Sequence, residues 1–99
     1  MEHMELTGKQ KRTLRALGHH LRPASTIGKQ GLADTVVAQV EDNLLAHELV
    51  KVKVLKTCPL DPPAVATALM ERTGAALAQS VGRTLLLYRP HPEAPVLRP

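Results

Sequence analysis

The chain has 99 residues, 43% of them hydrophobic, which fits one domain with a modest core and leaves no room for a second. It holds no Trp or Phe, one Tyr and one Cys, so the core must be aliphatic, an internal disulfide is excluded and a reducing cytoplasm is the expected compartment. Thirteen Lys and Arg against nine Asp and Glu give a formal charge of +4, compatible with a nucleic-acid partner, and no apolar run approaches the ~20 residues of a membrane span.

Residues 1–6 are expected to form a short leader; Met1-Glu2-His3-Met4-Glu5 has no basic segment followed by an apolar one, so no signal peptide is expected. Thr7 suits the N-cap of a first helix reaching Gly18 or His19. On a wheel of 3.6 residues per turn, Gln10, Leu14, Leu17 and Leu21 share one side, and Lys9, Lys11, Arg12, Arg15 and His19 spread over the other. A charged face is ordinarily just solvated. No acid follows these cations at i+3 or i+4 to relieve them, however, and an anion-binding surface is the competing reading.

Pro23 ends that element, and Ala24–Ile27 reads as a short strand. Next comes Gly28-Lys29-Gln30-Gly31. Glycine permits a tight turn and close approach of the backbone to a ligand, a following helix N-terminus favours an anion, and Lys29 adds a full positive charge. An ordinary turn is the alternative, because two glycines three residues apart are common. A second helix, about Leu32–Ala46, buries Ala33, Val36, Val37, Val40 and Leu44 and shows Asp34, Glu41 and Asp42 to solvent. His47, on the apolar side near its end, is expected to pack or cap.

Leu49–Leu55 is the clearest strand. Val50, Val52 and Val54 point one way and Lys51 and Lys53 the other, which predicts a sheet covered by helices on one side, with a wet, basic second face. Those lysines either keep the strand soluble or meet an anion. Asp61 and Pro62 open a third helix that Gly74 ends after Thr73. Ala76–Val81 and Thr84–Tyr88 form a hairpin through Gly82-Arg83, with Arg83 at its tip and Arg89 at its exit. The Pro-rich tail, 91–99, is expected to be extended or loose. The order α-β-α-β-α-β-β predicts an α/β two-layer sandwich with a mixed sheet.

Catalytic chemistry lacks its parts. The five histidines show no metal spacing, Cys58 has no placed base, and the acids are accounted for by caps and exposed faces. The glycine turn lacks the ending of a phosphate-binding P-loop and the third glycine of a dinucleotide fold. No enzyme activity, cofactor, metal or small-molecule substrate is therefore expected. With only Tyr88 available for stacking, an RNA partner would be held by its phosphates and sugars rather than read as a string of bases.

Four blocks then carry a resemblance. They are Leu17-Gly18-His19-His20-Leu21 with Pro23 after the basic helix, Ile27-Gly28-Lys29-Gln30-Gly31-Leu32, Glu48-Leu49-Val50-Lys51-Val52-Lys53, and Val81-Gly82-Arg83-Thr84-Leu85-Leu86-Leu87-Tyr88-Arg89-Pro90. Their order, over about residues 7–90, resembles the CRM domain (chloroplast RNA splicing and ribosome maturation) in its stand-alone bacterial, YhbY-like form. The resemblance implies a fold like the C-terminal domain of translation initiation factor three, with a four-stranded mixed sheet in the order 1-2-4-3. It also implies binding of structured RNA, in bacterial members the ribosomal RNA of large-subunit precursors, through Gly28, Lys29, Gln30 and Gly31. Charge mapping adds Lys9, Lys11, Arg12, Arg15, Lys51 and Lys53 as candidate contacts. The alternative is a protein-interaction module that docks on a ribosomal protein or assembly factor, its basic face incidental.

Overall fold

A computed structural model describes residues 5–99. Residues 1–4, most of the expected leader, lie outside the described residues. The elements are α1 (Gly8–Gly18), β1 (Pro23–Ile27), α2 (Asp34–His47), β2 (Leu49–Val54), α3 (Pro62–Thr73), β3 (Ala76–Val81) and β4 (Thr84–Tyr88). Their order is the expected one, and each boundary lies within two residues of its expected place.

The local signals act as their chemistry predicts. The Thr7 hydroxyl accepts from Gln10 N–H, and the Gln10 side chain accepts from Thr7 N–H, so two orphan donors of α1 are satisfied reciprocally. The Asp61 carboxylate accepts from Ala64 N–H at 2.9 Å, with Pro62 in the first turn of α3. Gly74 ends that helix in the left-handed region at φ 74°, and Gly82 turns the hairpin at φ 57°.

The strands form one sheet in the order β1-β2-β4-β3. β1 runs parallel to β2, whereas β2 and β3 both run antiparallel to β4. It follows that β1, β2 and β3 all finish at the same end of the sheet. The α/β class and the strand order 1-2-4-3 agree with the expectation.

One face of the sheet presents Ile27, Val50, Val52, Val54, Leu85 and Leu87 to Val37, Val40 and Leu44 of α2 and Val65 and Leu69 of α3. Each fully buried aliphatic side chain there contributes about 1.5–3 kcal/mol through its removal from water. Cys58, reduced and buried, belongs to this cluster rather than to a reactive site.

The second face departs from expectation. It is not left bare: α1 lies across it, with Leu14 packed among Leu49, Ala78, Leu86 and Tyr88. Gly18 makes the close approach possible, since a Cβ there would fall 2.7 Å from Leu86 Cδ2. The wheel assigned α1 too broad an apolar side. Leu14 is buried, but Gln10 serves the cap, and Leu17 and Leu21 remain exposed. Lys51 and Lys53 share this second face with Leu49, so α1 covers one part of it and leaves the lysine-bearing part open.

The tail is not loose. Glu48, just after α2, adopts φ 64° with ψ −39°, a positive-φ conformation that ordinarily favours glycine. Its buried carboxylate accepts backbone N–H bonds from His91 at 2.7 Å and from Val96 and Leu97 at 2.8 Å each. Leu97 then packs against the cluster that holds Leu14 and Tyr88. Burial alone would raise the Glu48 pKa, but these three donors and nearby His91 hold it below the ordinary value of 4.5. Burial and the charge of Glu48 push the Tyr88 phenol upward. His47, expected to pack or cap, does not pack: it is the last residue of α2 and is exposed beside this strap.

Candidate nucleic-acid interface

The glycine turn sits at the end of the sheet where β1, β2 and β3 finish. Gly31 N–H donates to the Gly28 carbonyl at 2.9 Å and closes the turn over the exposed Lys29 and Gln30. Its two glycines do different things. Gly31 has φ 60°, and a Cβ there would come within 3.3 Å of Pro59 Cγ. Gly28 has no left-handed φ, and a Cβ would make ordinary contacts with Leu55 and Thr57. Gly31 therefore shapes the turn, while Gly28 keeps its backbone uncovered.

Two neighbouring segments brace this turn. Leu55 N–H donates to the Ile27 carbonyl at 2.8 Å, and Arg83 in turn donates to the carbonyls of Val54 and Leu55 at 2.8 and 2.9 Å. On the other side Arg72 donates to the Leu32 carbonyl at 3.2 Å and pairs with Asp34 at 2.9 Å. Asp34 would otherwise set a bare negative charge at the start of α2. The helix begins after Ala33, which offers no side-chain cap, so its first N–H groups have no side-chain partner.

Three arginines are thus committed to the fold or to acids. Arg72 and Arg83 act as described, and Arg89 binds the Thr73 carbonyl at 2.7 Å and pairs with Glu41. Two of the three acids read as the outer flank of α2 are neutralised in this way. Among the described residues, Lys29, Lys51, Lys53 and the cations of α1 have no carboxylate within ion-pair distance.

Strand register places the lysines. Lys53 lies opposite Thr26 in β1 and Thr84 in β4, and Thr26 is two residues before Gly28. Lys51, half-buried, is one step back along the same face and pairs with Leu86. On α1, Lys11, Arg15 and His19 recur every four residues and form one ridge. Lys11 borders a hollow with Ala76 and Leu77 at the start of β3, and His19 borders another with Gln79, Val81 and Thr84 at its end. The ridge therefore runs along β3 toward the sheet end that carries the glycine turn.

The expected contact residues separate into two groups. Gly28, Lys29, Gln30, Gly31, Lys53 and Lys51 share that end and the open part of the second face, and Arg15 and Lys11 extend it along α1. Lys9 and Arg12 lie further round the exposed side of α1, where the Arg12 guanidinium folds back toward Gly8. Sequence reasoning missed Lys56. It is exposed in the segment that braces Gly28, and its place directly after the clearest strand was the available signal.

The sole tyrosine is not available for stacking, because Tyr88 is buried at 4% exposure. No described helix is long and apolar enough to cross a membrane.

Known proteins share this fold and much of this sequence. The family model of the CRS1 / YhbY (CRM) domain matches residues 6–89. The Probable RNA-binding protein YqeI of Bacillus subtilis is 45% identical over 84 residues, 85% of this chain and 88% of that protein. An RNA-binding protein of Haemophilus influenzae is 40% identical over 94 residues, 95% of each chain. The solution structure of the hypothetical protein SAV1595 from Staphylococcus aureus superposes with a TM-score of 0.73 at 41% identity, covering 86% of this chain and 88% of that one. These relatives carry RNA-binding names rather than enzyme names, and the four sequence blocks, apart from the final Pro90, fall inside the matched span: the chain belongs to the CRS1/YhbY (CRM) domain family.

Proposed function

We propose that this protein binds structured RNA, in particular the ribosomal RNA of large-subunit precursors, and assists assembly of that subunit without catalysing a reaction. The carrying observation is the continuity of cations without a carboxylate partner among the described residues, from the glycine turn through Lys53 and Lys51 to the α1 ridge, whereas Arg72, Arg83 and Arg89 are engaged within the fold. The uncovered backbone at Gly28 and the Lys29 ammonium meet one phosphate, and the lysines and ridge extend the footprint. The RNA-binding names of the relatives support the partner class. The ribosomal assignment rests on the likeness to stand-alone bacterial CRM proteins. We place the activity in the cytoplasm, where the buried Cys58 thiol stays reduced. The unit that acts is the span 7–90, with 91–99 strapped against it.

With about six phosphate contacts, affinity should fall roughly a thousandfold between 50 and 200 mM salt. Crosslinking in cells followed by sequencing of the bound RNA tests the ribosomal partner. Recovery of messenger or transfer RNA in place of precursor ribosomal RNA would refute it. The combined variant Lys29→Glu, Arg15→Glu tests the surface, and unchanged binding to structured ribosomal RNA would show it to be misplaced.

One observation favours a second reading. A groove of about 390 Å³ is lined by Leu17, Leu21, Ala24 and Leu49 with Leu97 at its edge, and the exposed leucines suit a protein partner such as a ribosomal protein or assembly factor. A complex of that kind survives ribonuclease treatment in a pull-down, whereas an RNA-mediated one is lost.

A further inference from the structure

The hollow at the end of α1 differs in chemistry from the rest of the basic surface. Its volume is about 420 Å³, and its lining is His19, Lys51, Gln79, Val81, Thr84 and Leu86. That size falls within the roughly 300–1,000 Å³ of small-ligand sites. Leu86, 2% exposed, and Val81, 60% exposed, supply apolar surface, one at the floor and one at the rim. Gln79 and Thr84 are half-buried, and no hydrogen bond among the described residues engages either side chain. A carboxamide offers both donors and an acceptor, and a hydroxyl offers both as well.

The backbone builds this hollow deliberately. The register of β3 slips between Leu77 and Gln79, so Ala78 is an extra residue that packs toward α1. Gln79 consequently pairs with Leu86 and stands on the same face as Lys51. The hollow is also joined to the glycine turn, since Thr84 pairs with Lys53, which pairs with Thr26.

We propose that this hollow holds one unpaired nucleobase of the bound RNA. The inference rests on the RNA-binding reading above and deepens it. A phosphate alone needs only cations, which Lys29 and Lys53 already supply. An amide and a hydroxyl beside an apolar floor instead match the polar edge and flat face of a base. Specific RNA recognition acts through bases splayed out of a helix, held by edge hydrogen bonds and by a ring or guanidinium plane. With Tyr88 buried, the exposed His19 imidazole is the ring that borders the hollow. Lys51 meets the phosphate of the same nucleotide. The protein thus senses a bulge or loop within a folded RNA rather than a sequence along a strand.

Two RNA hairpins of equal length and charge test this, one with a fully paired stem and one with a single bulged nucleotide. The wild-type protein should bind the bulged hairpin about five- to tenfold more tightly, the scale of one or two net hydrogen bonds. The double variant Gln79→Leu, Thr84→Val should bring that ratio to one and leave affinity for the paired stem intact, which also reports that it folds. If it fails to bind the paired stem, Gln79→Glu replaces it, keeps the side-chain size and should abolish the preference through charge. No preference in the wild-type protein, or a preference that survives in the folded variant, overturns the nucleobase site while leaving phosphate-mediated RNA binding standing. Failure to bind either hairpin at low salt overturns both readings.

Discussion

At the start of β2 one buried carboxylate, Glu48, is surrounded by three backbone N–H donors, whereas at its other end Lys53 and nearby Lys29 face solvent with no carboxylate within ion-pair distance among the described residues. The first charge is fully engaged by its own chain and holds residues 91–97 in place. Its position is costly in isolation, because a non-glycine residue held in a sparsely populated positive-φ conformation loses on the order of 1–3 kcal/mol. Only the strap explains a glutamate there. The second set has no carboxylate partner among the described residues and repels itself slightly, a repulsion that the proposed RNA contact would relieve. The lesson is that a charge's role is legible from its partners. Arg72, Arg83 and Arg89 follow the Glu48 pattern, and Lys29, Lys51 and Lys53 the opposite one.

Charge reversal at the ligand-facing end should give the largest effect. Lys51→Glu combined with Lys53→Glu should weaken binding to structured RNA about a hundredfold and flatten the salt dependence by about two contacts, with little change in melting temperature. A fall in stability comparable to the loss of affinity would break the contrast, because it would show that these lysines serve the fold.

At the strap end the balance should invert. Glu48→Ala should cost about 2 kcal/mol of stability in denaturant titration, with faster hydrogen exchange at Val96 and Leu97, and leave RNA affinity unchanged below the melting temperature. Retained protection at those two amides would show that packing of Leu97, and not the carboxylate, secures the tail.

Gly31→Ala probes a position where backbone and binding meet. The left-handed φ and the contact with Pro59 should together cost about 1–2 kcal/mol, and the distorted turn should weaken RNA binding by a few fold. Gly28→Ala, which meets only ordinary contacts, should leave stability nearly unchanged, so equal destabilisation by the two would contradict the division of labour between them.

Acid should produce the smallest and most selective change. The folded Glu48 pKa lies below its ordinary value of 4.5, so the carboxylate stabilises the fold fully above that value and less as pH falls through the lowered folded value. Wild-type protein should therefore lose stability on acidification below pH 4.5 more steeply than Glu48→Gln, which carries no titrating group there. Parallel acid profiles would remove Glu48 from the account.

Most of the scaffold is legible in the chain because its signals are local. Thr7, Asp61 with Pro62, Gly74 and Gly82 act within three or four residues of themselves, and Val50, Val52 and Val54 declare their strand by alternation. The strand order came from the resemblance of four blocks to a known family, since periodicity does not say which strands are neighbours. The covering of the second face was hidden because helical spacing groups Leu14 with Leu17 and Leu21, whereas the contact is made through Leu14 and Gly18. The partners of Arg72, Arg83 and Glu48 lie 28 to 49 residues away, and a one-dimensional pattern carries no trace of such distances. Within the candidate site, the glycine turn was legible as chemistry, but its continuity with Lys53 depends on register, and the α1 ridge depends on where the helix lies.

The scarcity of aromatic residues gives this protein a built-in optical gauge. With no tryptophan and a single tyrosine, all intrinsic protein emission comes from Tyr88, which is buried in the cluster that Leu97 joins and lies in the field of Glu48. Detachment of the C-terminal strap would wet that phenol and change its fluorescence. The strap's opening and closing can therefore be timed in the unaltered chain, with no dye or substitution to disturb it.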